Sequence, residues 1–320
     1  METKGVVVGV DIGGTSTGLG FVDRQGRVLA QASIATRGEE PAQALVLRLR
    51  DAIVGLQSGL SEPCRIQGIG IGAPNAHHHK GTVERPVNLA WGESTDLVAL
   101  VRRQFAVPVA ITNDANAAAM GELLFGGARG MRDFIVITLG TGLGSGIIVN
   151  GRLVYGADGL AGELGHTVVD PDGRKCACGN RGCLETYVSA RGLCRTVGAL
   201  LAERTEPSPL REASPRELDS RMVFEAARTG DPIALAAFDR TARVLGMKLA
   251  DAVAHTGPEA IFLFGGLSAA GELLLEPTRT YLDAFLFPAY RGKVRLLSSG
   301  LAKGDSAVLG AAALIWSELA

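Results

Sequence analysis

The first forty residues constrain the fold most, because a glycine-rich turn separates a buried strand from a hairpin. Residues 5–10 form an apolar strand pattern, and Asp11-Ile12-Gly13-Gly14-Thr15 follows directly. Residues 18–34 then alternate apolar and polar side chains around a polar turn at 23–26, which predicts an antiparallel hairpin. A dinucleotide-binding fold would continue from the strand into a helix, so the sequence argues against that fold.

The remaining chain alternates helical and strand patterns and predicts an α/β fold. Helices are expected at 41–56, 96–105, 115–125, 221–229, 233–255 and 305–319, the last capped by Asp305, and strands at 66–71, 109–112, 134–139, 261–264 and 294–297. Asn150-Gly151 predicts a type I′ hairpin turn, and residues 203–220 an exposed loop. With 320 residues, 47% of them apolar, we expect two domains: a small one of residues 1–114 plus 303–320, and a large one of 115–302.

Glycine-rich turns offer candidate contacts for a nucleotide. The first turn presents backbone amides and the Thr15 hydroxyl to phosphate oxygens, while Asp11 would face Mg²⁺; alone, such a glycine pair is more often a plain tight turn. A second glycine-rich turn at 138–144 and a third after the strand at 261–264, where the backbone could contact adenine, favour ATP. The candidate residues are Asp11, Gly13, Gly14, Thr15, Gly140, Thr141, Gly142, Gly144, Gly265 and Gly266.

Asn113-Asp114 stands where a predicted strand ends and a predicted helix begins. One interpretation is a helix N-cap, which would satisfy free backbone amides. Phosphoryl transfer, however, needs a carboxylate that accepts the proton of the attacking hydroxyl, beside Mg²⁺ and phosphate-binding amides. Asp114 is therefore the candidate catalytic base.

His166, Cys176, Cys178 and Cys183 have the spacing H-x9-C-x-C-x4-C, which predicts a tetrahedral Zn²⁺ site. Because the protein fills all four positions, this zinc would be structural. Glu163, His166 and Glu185 are candidate partners for sugar hydroxyls, although each glutamate alone could simply be a solvated surface residue. Three crowded cysteines indicate a reducing compartment, and Cys64 and Cys194 are expected to be small buried residues.

Six motifs occur in order: DIGGT at 11–15, GAPN at 72–75, NDANA at 113–117, GTGLGSG at 140–146, AGELGH at 161–166 and CACGNRGCLE at 176–185. Together they resemble the ROK family of bacterial sugar kinases and repressors, most of all its glucokinases, over nearly the whole chain. The resemblance implies a two-domain actin-like ATPase (ribonuclease H-like) fold with its active site in the interdomain cleft, and a homodimer or homotetramer. It further implies that Asp114 is the base, that Zn²⁺ binds the four predicted ligands, and that Asn113, Asp114, Glu163, His166 and Glu185 bind the sugar.

The GAPN motif departs from the family pattern, since many members have glycine at the place of Asn75. We expect Asn75 and Asn88 to contact the sugar, with Trp91 either on the same rim or an ordinary half-buried aromatic residue. The run His77-His78-His79 has no acidic or thiol partner nearby in sequence, so it predicts an exposed loop rather than a second metal site.

Several functional classes fit poorly. A formal net charge of −1 without a basic run argues against nucleic acid, and the longest apolar stretch is too interrupted to span a bilayer, so a cytoplasmic protein is expected. A sugar-sensing regulator would carry a winged helix ahead of the first strand, where only four residues precede Gly5, and a filament or chaperone ATPase would not require the zinc motif. The leading hypothesis is phosphorylation of the 6-hydroxyl of an aldohexose, glucose first. Other sugar substrates stay open, namely N-acetylglucosamine, N-acetylmannosamine, mannose, fructose or allose. The use of polyphosphate in place of ATP stays open as well.

Overall fold

A computed structural model describes residues 4–60, 62–86, 89–301 and 304–320. Its strands are β1 (Lys4–Ile12), β2 (Ser16–Val22), β3 (Val28–Ala35), β4 (Cys64–Gly72), β5 (Ala76–His77), β6 (Thr82–Glu84), β7 (Ser94–Asp96), β8 (Val109–Thr112), β9 (Phe134–Leu139), β10 (Leu143–Val149), β11 (Arg152–Leu153), β12 (Ala260–Phe264) and β13 (Arg295–Ser298). Its α-helices are α1 (Ala42–Ser58), α2 (Leu97–Arg102), α3 (Asp114–Leu124), α4 (Ala190–Glu203), α5 (Ser220–Arg228), α6 (Pro232–Thr256), α7 (Glu272–Phe285) and α8 (Ser306–Glu318). The predicted α/β class is confirmed.

The chain divides into two compact units. The first contains residues up to 131 together with 151–161 and 300–320, and the second contains 132–150 and 162–299. Residues 115–131 and 151–161 thus group with the first unit, whereas the sequence placed them in the larger domain. The functional division at residues 114 and 302 stays a prediction.

The sheet of the first unit has the strand order β3-β2-β1-β4-β8. The glycine-rich turn joins β1 to β2, and these strands pair antiparallel with Val10 opposite Leu19. The predicted hairpin is the next one: β2 and β3 flank the polar turn at 23–26 and pair antiparallel with Leu19 opposite Ala32, so that prediction is confirmed. β4 is parallel to both β1 and β8. Consequently β8, which leads to Asp114, lies at the sheet edge, and the carboxyl ends of β1 and β8 point the same way.

Glycine residues in the central strands allow helix α8 to approach the first sheet closely. A Cβ on Gly9 would lie 2.1 Å from the Val308 carbonyl oxygen, and one on Gly70 would lie 1.9 Å from that of Ala311. The helix is buried from Val308 to Trp316, so packing of this part against the sheet holds α8 in place. Asp305, the predicted cap, has a helical backbone and its side chain makes no capping bond, so that prediction is wrong.

In the second unit, β9 pairs antiparallel with β10 and parallel with β12, and β13 is parallel to β12. Helix α6 passes through the core of this unit and buries Phe238, Leu245 and Leu249 among the apolar residues of β9 and β12. Between 203 and 220 the predicted loop is largely confirmed, although Leu210 is buried. No helix among the described residues is both long and apolar enough to cross a membrane.

The chain leaves the second unit at the hairpin turn predicted from Asn150-Gly151. Both residues have positive φ, 53° and 73°, as a type I′ turn requires. That prediction is confirmed.

Candidate functional site

The first glycine-rich turn is braced by its own backbone and by one threonine. The Gly13 amide donates to the Ser16 carbonyl at 3.0 Å, and the Thr36 hydroxyl donates to the Gly13 carbonyl at 2.7 Å. The Thr36 amide donates to the Thr15 carbonyl at 2.9 Å. Gly14 and Thr15 are exposed at the tip. The turn is thus held open toward solvent, as a phosphate-binding loop must be.

Two carboxylates of the first unit, Asp11 and Asp114, lie at the carboxyl ends of β1 and β8. Burial raises the pKa of Asp11 to about 6, and the negative charge of Asp114 adds to that rise. Asp114 is accessible to solvent, yet many protein atoms surround it, and this desolvation raises its pKa despite a 2.9 Å bond from the Ala115 amide. Repulsion between neighbouring carboxylates favours binding of a cation or a proton.

Asn113, not Asp114, is the N-cap of α3. Its side-chain oxygen accepts a 2.7 Å hydrogen bond from the Asn116 amide. Asp114 is the first helical residue, and its carboxylate accepts a 2.9 Å hydrogen bond from the adjacent Ala115 amide. The helix cap is therefore a separate residue, and the Asp114 carboxylate is not needed to cap α3.

The GAPN residue Asn75 has φ of 56°, a left-handed conformation that asparagine tolerates better than most residues. Its side-chain amide donates to the Arg85 carbonyl at 3.1 Å, so it ties the start of the β5–β6 hairpin to the end of β6. Trp91 is 8% exposed and belongs to the core of the first unit. Asn88 lies outside the described residues.

The histidine run is not the exposed loop that the sequence predicts. His77 is buried and His78 half-buried, and only His79 is exposed. Both Cys64 and Cys194, expected to be buried, are half-buried.

The second and third glycine-rich turns lie side by side in the second unit. A Cβ on Gly265, whose φ is 98°, would lie 2.7 Å from the carbonyl oxygen of Leu139, the last residue of β9. The Gly140 amide donates to the Gly142 carbonyl at 3.0 Å, and the Gly144 amide donates to the Thr138 hydroxyl at 3.1 Å. Both turns follow neighbouring parallel strands, β9 and β12, so they lie at the same edge of the sheet.

The predicted zinc ligands come together. Their ligand atoms all lie within 4.8 Å of one another; the ligands are His166, Cys176, Cys178 and Cys183. The His166 Nδ1 to Cys176 Sγ distance is 3.8 Å, and the Cys178 to Cys183 Sγ distance is 3.7 Å. With Zn–S bonds of about 2.3 Å, the edge of a tetrahedron is about 3.8 Å. The donor set and spacing therefore fit a closed tetrahedral zinc site.

The loop carrying these ligands holds Glu185 between the metal site and the second glycine-rich turn. Glu185 Oε1 is 3.1 Å from Cys176 Sγ, and a Cβ on Gly142 would lie 2.7 Å from its Oε2. Glu163 Oε2 is 3.9 Å from His166 Nε2. Glu163 and Glu185 thus each contact one of the four predicted zinc ligands. The role of Glu163, His166 and Glu185 in binding a sugar stays a prediction.

Arg174 is a supporting residue that the sequence analysis missed. Its guanidinium donates to the Thr186 carbonyl at 2.7 Å and the Thr196 hydroxyl at 3.0 Å, and it stacks on Tyr187 with 4.4 Å to the ring centre. It therefore fastens the metal-binding loop to α4. Arg174 lies in a polar stretch, and nothing in the sequence separates it from an ordinary surface arginine. Thr36 of the first unit likewise has no sequence signal that separates it from a surface threonine.

Comparison with known proteins covers nearly the whole chain. The family model described as the ROK family matches residues 7–318. Glucokinase of Thermotoga maritima is 33% identical over 311 residues, which are 97% of this chain and 96% of that protein. The xylose repressor of Caldicellulosiruptor bescii is 32% identical over 98% of this chain and 79% of its own.

A solved structure extends the similarity to three dimensions. The ROK family glucokinase from Streptomyces griseus, crystallised in complex with glucose and AMPPNP, is 38% identical and superposes with a TM-score of 0.79. The match covers 97% of this chain and 98% of that chain. The predicted actin-like ATPase fold is confirmed by this similarity.

Proposed function

This chain belongs to the ROK family, and we propose on that basis that it is an ATP-dependent hexokinase that converts glucose to glucose 6-phosphate. The observation that carries the proposal is the likeness, at 38% identity, to a glucokinase that binds glucose and AMPPNP. Asp114 supports it from within the chain, because this accessible carboxylate with a raised pKa begins a helix that another residue caps.

In the proposed reaction, Asp114 accepts the proton of the sugar 6-hydroxyl as that oxygen attacks the γ-phosphorus of ATP. The new O–P bond forms while the bond to the β-phosphate oxygen breaks, and ADP leaves. A raised pKa makes Asp114 a stronger base than an ordinary carboxylate, provided that the pH is high enough to ionise it. The 2.9 Å bond from the Ala115 amide limits the rotation of the carboxylate.

We assign the phosphates of ATP to the first and second glycine-rich turns, and the adenine to Gly265 and Gly266. Asp11 would hold Mg²⁺, because a carboxylate whose pKa is raised to about 6 beside a second carboxylate gains from a neighbouring cation. Bound there, the ion would neutralise phosphate charge. The hydrogen bonds that the Gly13 and Gly140 amides make within their own turns hold the backbone of both loops in place before the nucleotide arrives.

We assign the sugar hydroxyls to Asn113, Glu163, His166 and Glu185, with Asn75 and Asn88 at the rim of the site. Zinc on the four ligands would fix the loop that carries Glu185. Glucose is proposed first among the hexoses. A cytoplasmic homodimer or homotetramer is part of the same proposal.

The direct test measures ADP release with glucose, N-acetylglucosamine, N-acetylmannosamine, mannose, fructose, allose and no sugar. Wild-type enzyme should be fastest with glucose. Asp114→Ala should lose turnover while sugar binding stays measurable by calorimetry, whereas the exposed control Asp251→Asn should match wild type. A near-normal rate in Asp114→Ala would remove that residue as the base. Equal ATP hydrolysis without sugar would instead indicate a chaperone-like ATPase.

A sugar-binding regulator is the second candidate, favoured by the similarity to the xylose repressor. Such a protein would bind a sugar without turnover. If glucose binds by calorimetry while no hexose of the panel releases ADP or consumes polyphosphate, the regulator becomes the better assignment.

A further inference from the structure

The histidine run has no part in the proposed chemistry, yet His78 contacts the strand that leads to Asp114. β8 lies at the sheet edge, and its carbonyl groups alternate in direction. Those of Pro108 and Thr112 accept hydrogen bonds from the Ile69 and Ala73 amides at 2.9 and 3.0 Å on the β4 side. The intervening Ile111 carbonyl therefore faces the open edge.

A side chain satisfies that outward carbonyl. His78 Nδ1 lies 2.9 Å from the Ile111 oxygen, and since a carbonyl can only accept, Nδ1 carries the proton. His78 Nε2 is 3.7 Å from the Glu318 carboxylate, which is longer than a hydrogen bond. The directed contact of this imidazole is thus the one to the backbone of β8, three residues before Asp114.

The Tyr155 ring fixes the plane of the imidazole. The two rings stack with centres 4.1 Å apart and planes inclined by only 6°. Burial raises the pKa of Tyr155, so its ring stays neutral, and its hydroxyl lies near the Thr112 side chain. Tyr155 therefore fixes the orientation of the His78 ring, and His78 holds the Ile111 carbonyl of β8.

We propose that His78 is a positioning residue for phosphoryl transfer: by holding the Ile111 carbonyl at the open edge of β8, it sets the direction in which Asp114 leaves the strand. This inference rests on the proposed function, in which Asp114 is the base. Its neighbours in the run have other surroundings. The His77 ring packs under Gly159. Exposed His79 meets His78 and Tyr155 edge-on, with ring centres 5.4 and 5.3 Å apart.

Two polar substitutions separate the hydrogen bond from the bulk of the ring. His78→Asn places an amide donor as many bonds from Cα as Nδ1, whereas His78→Gln places it at the distance of Nε2, away from Ile111. Both remove the stacked ring equally. Because small displacements of a reacting group lower rates steeply, we expect kcat to fall about 10-fold in His78→Gln and about 2-fold in His78→Asn.

The KM values for glucose and ATP should stay within about 2-fold of wild type in both variants, since the bond acts on the base and not on binding groups. His79→Gln serves as the control and should match wild type. Equal kcat in the Asn and Gln variants, or a loss confined to KM, overturns the inference. If His78→Gln does not fold, Tyr155→Leu and Tyr155→Phe replace the two His78 variants. Only leucine removes the ring that orients His78, so equal kcat values in these two variants also overturn the inference.

Different experimental results would defeat the proposed function and the proposed role of His78. Wild-type enzyme without glucose-dependent ADP release, or Asp114→Ala with normal turnover, defeats the proposed function and this inference with it. A normal wild type and an inactive Asp114→Ala, together with equal Asn and Gln variants, defeat only the role of His78.

Discussion

Replacing Asp11 with asparagine separates what this residue does for the reaction from what it does to stability. Burial, with added repulsion from Asp114, raises its pKa from the ordinary 3.8 to about 6. A carboxyl pKa raised by folding means that the folded protein holds the proton more tightly than the unfolded chain. Ionised Asp11 therefore destabilises the fold, and the destabilisation appears as pH rises from 3.8 to 6 and is complete above 6.

The magnitude follows from the size of the shift. A rise of about 2 pKa units corresponds to about 3 kcal/mol at pH 7.5 and to about 1 kcal/mol at pH 4.5, where Asp11 of the folded protein is still mostly protonated. Partial access of water to the carboxylate reduces these values, so we expect Asp11→Asn to stabilise the protein by about 1–3 kcal/mol at pH 7.5. The same variant should lose Mg²⁺-dependent sugar phosphorylation.

Urea denaturation at pH 4.5 and pH 7.5, without Mg²⁺ or nucleotide, measures the effect. Asp23→Asn is the matched control, because burial of Asp23 is outweighed by hydrogen bonds from Arg27, Lys4 and the Gln25 amide, which lower its pKa. Asp23 thus stabilises the fold above its unfolded pKa, and Asp23→Asn should destabilise the protein at pH 7.5. An Asp11→Asn protein that is no more stable than wild type at pH 7.5, or whose gain is equal at both pH values, refutes the reasoning.

Three further results are expected. Gly142→Ala should raise the KM for glucose, because its Cβ would meet the Glu185 carboxylate at 2.7 Å. Gly140→Ala, whose Cβ enters open space, should leave that KM unchanged. Equal KM values in the two variants would contradict a role of Glu185 in glucose binding. Cys178→Ser should purify without zinc and bind glucose more weakly, measured by metal analysis and calorimetry, and a zinc-containing variant would count against the site. The pH profile of kcat/KM should fall on the acidic side as Asp114 is protonated, at a higher pH than its ordinary value of 3.8, and a flat profile to pH 4 would exclude it as the base.

Much of the fold was predictable, because strands and helices with clear apolar periodicity need only local information. Helix α3 was expected at 115–125 and lies at Asp114–Leu124. Helices α4 and α7 were not identified. α7 contains Pro277, which in a sequence reads as a helix end, and only packing of Leu274, Leu275 and Leu282 in the core of the second unit keeps the helix continuous.

The candidate site also has residues that the sequence could predict and residues that it could not. The zinc ligands were predictable because a metal demands particular side chains at short spacing, and the structure brings them together. His78 was not, since its burial depends on Tyr155, a residue 77 positions later whose ring covers it. Asp305 shows the opposite error: a residue with the right chemistry for a cap is not needed where the buried helix is held by packing against β1 and β4.

Helix α8, which lies against the first sheet at Gly9 and Gly70, follows the whole second unit in the sequence, and this sets the order in which the two units can be completed during translation. Residues 132–299 contain every part of the second unit, so it is fully synthesised before the first unit, which ends with α8. At about 5–20 residues per second, β1 waits about 15–60 s for the helix that covers it. Through that interval its glycine-rich face has no partner of its own chain, and slower synthesis of the last 20 residues would prolong the period in which the nascent sheet is open to aggregation or to a chaperone.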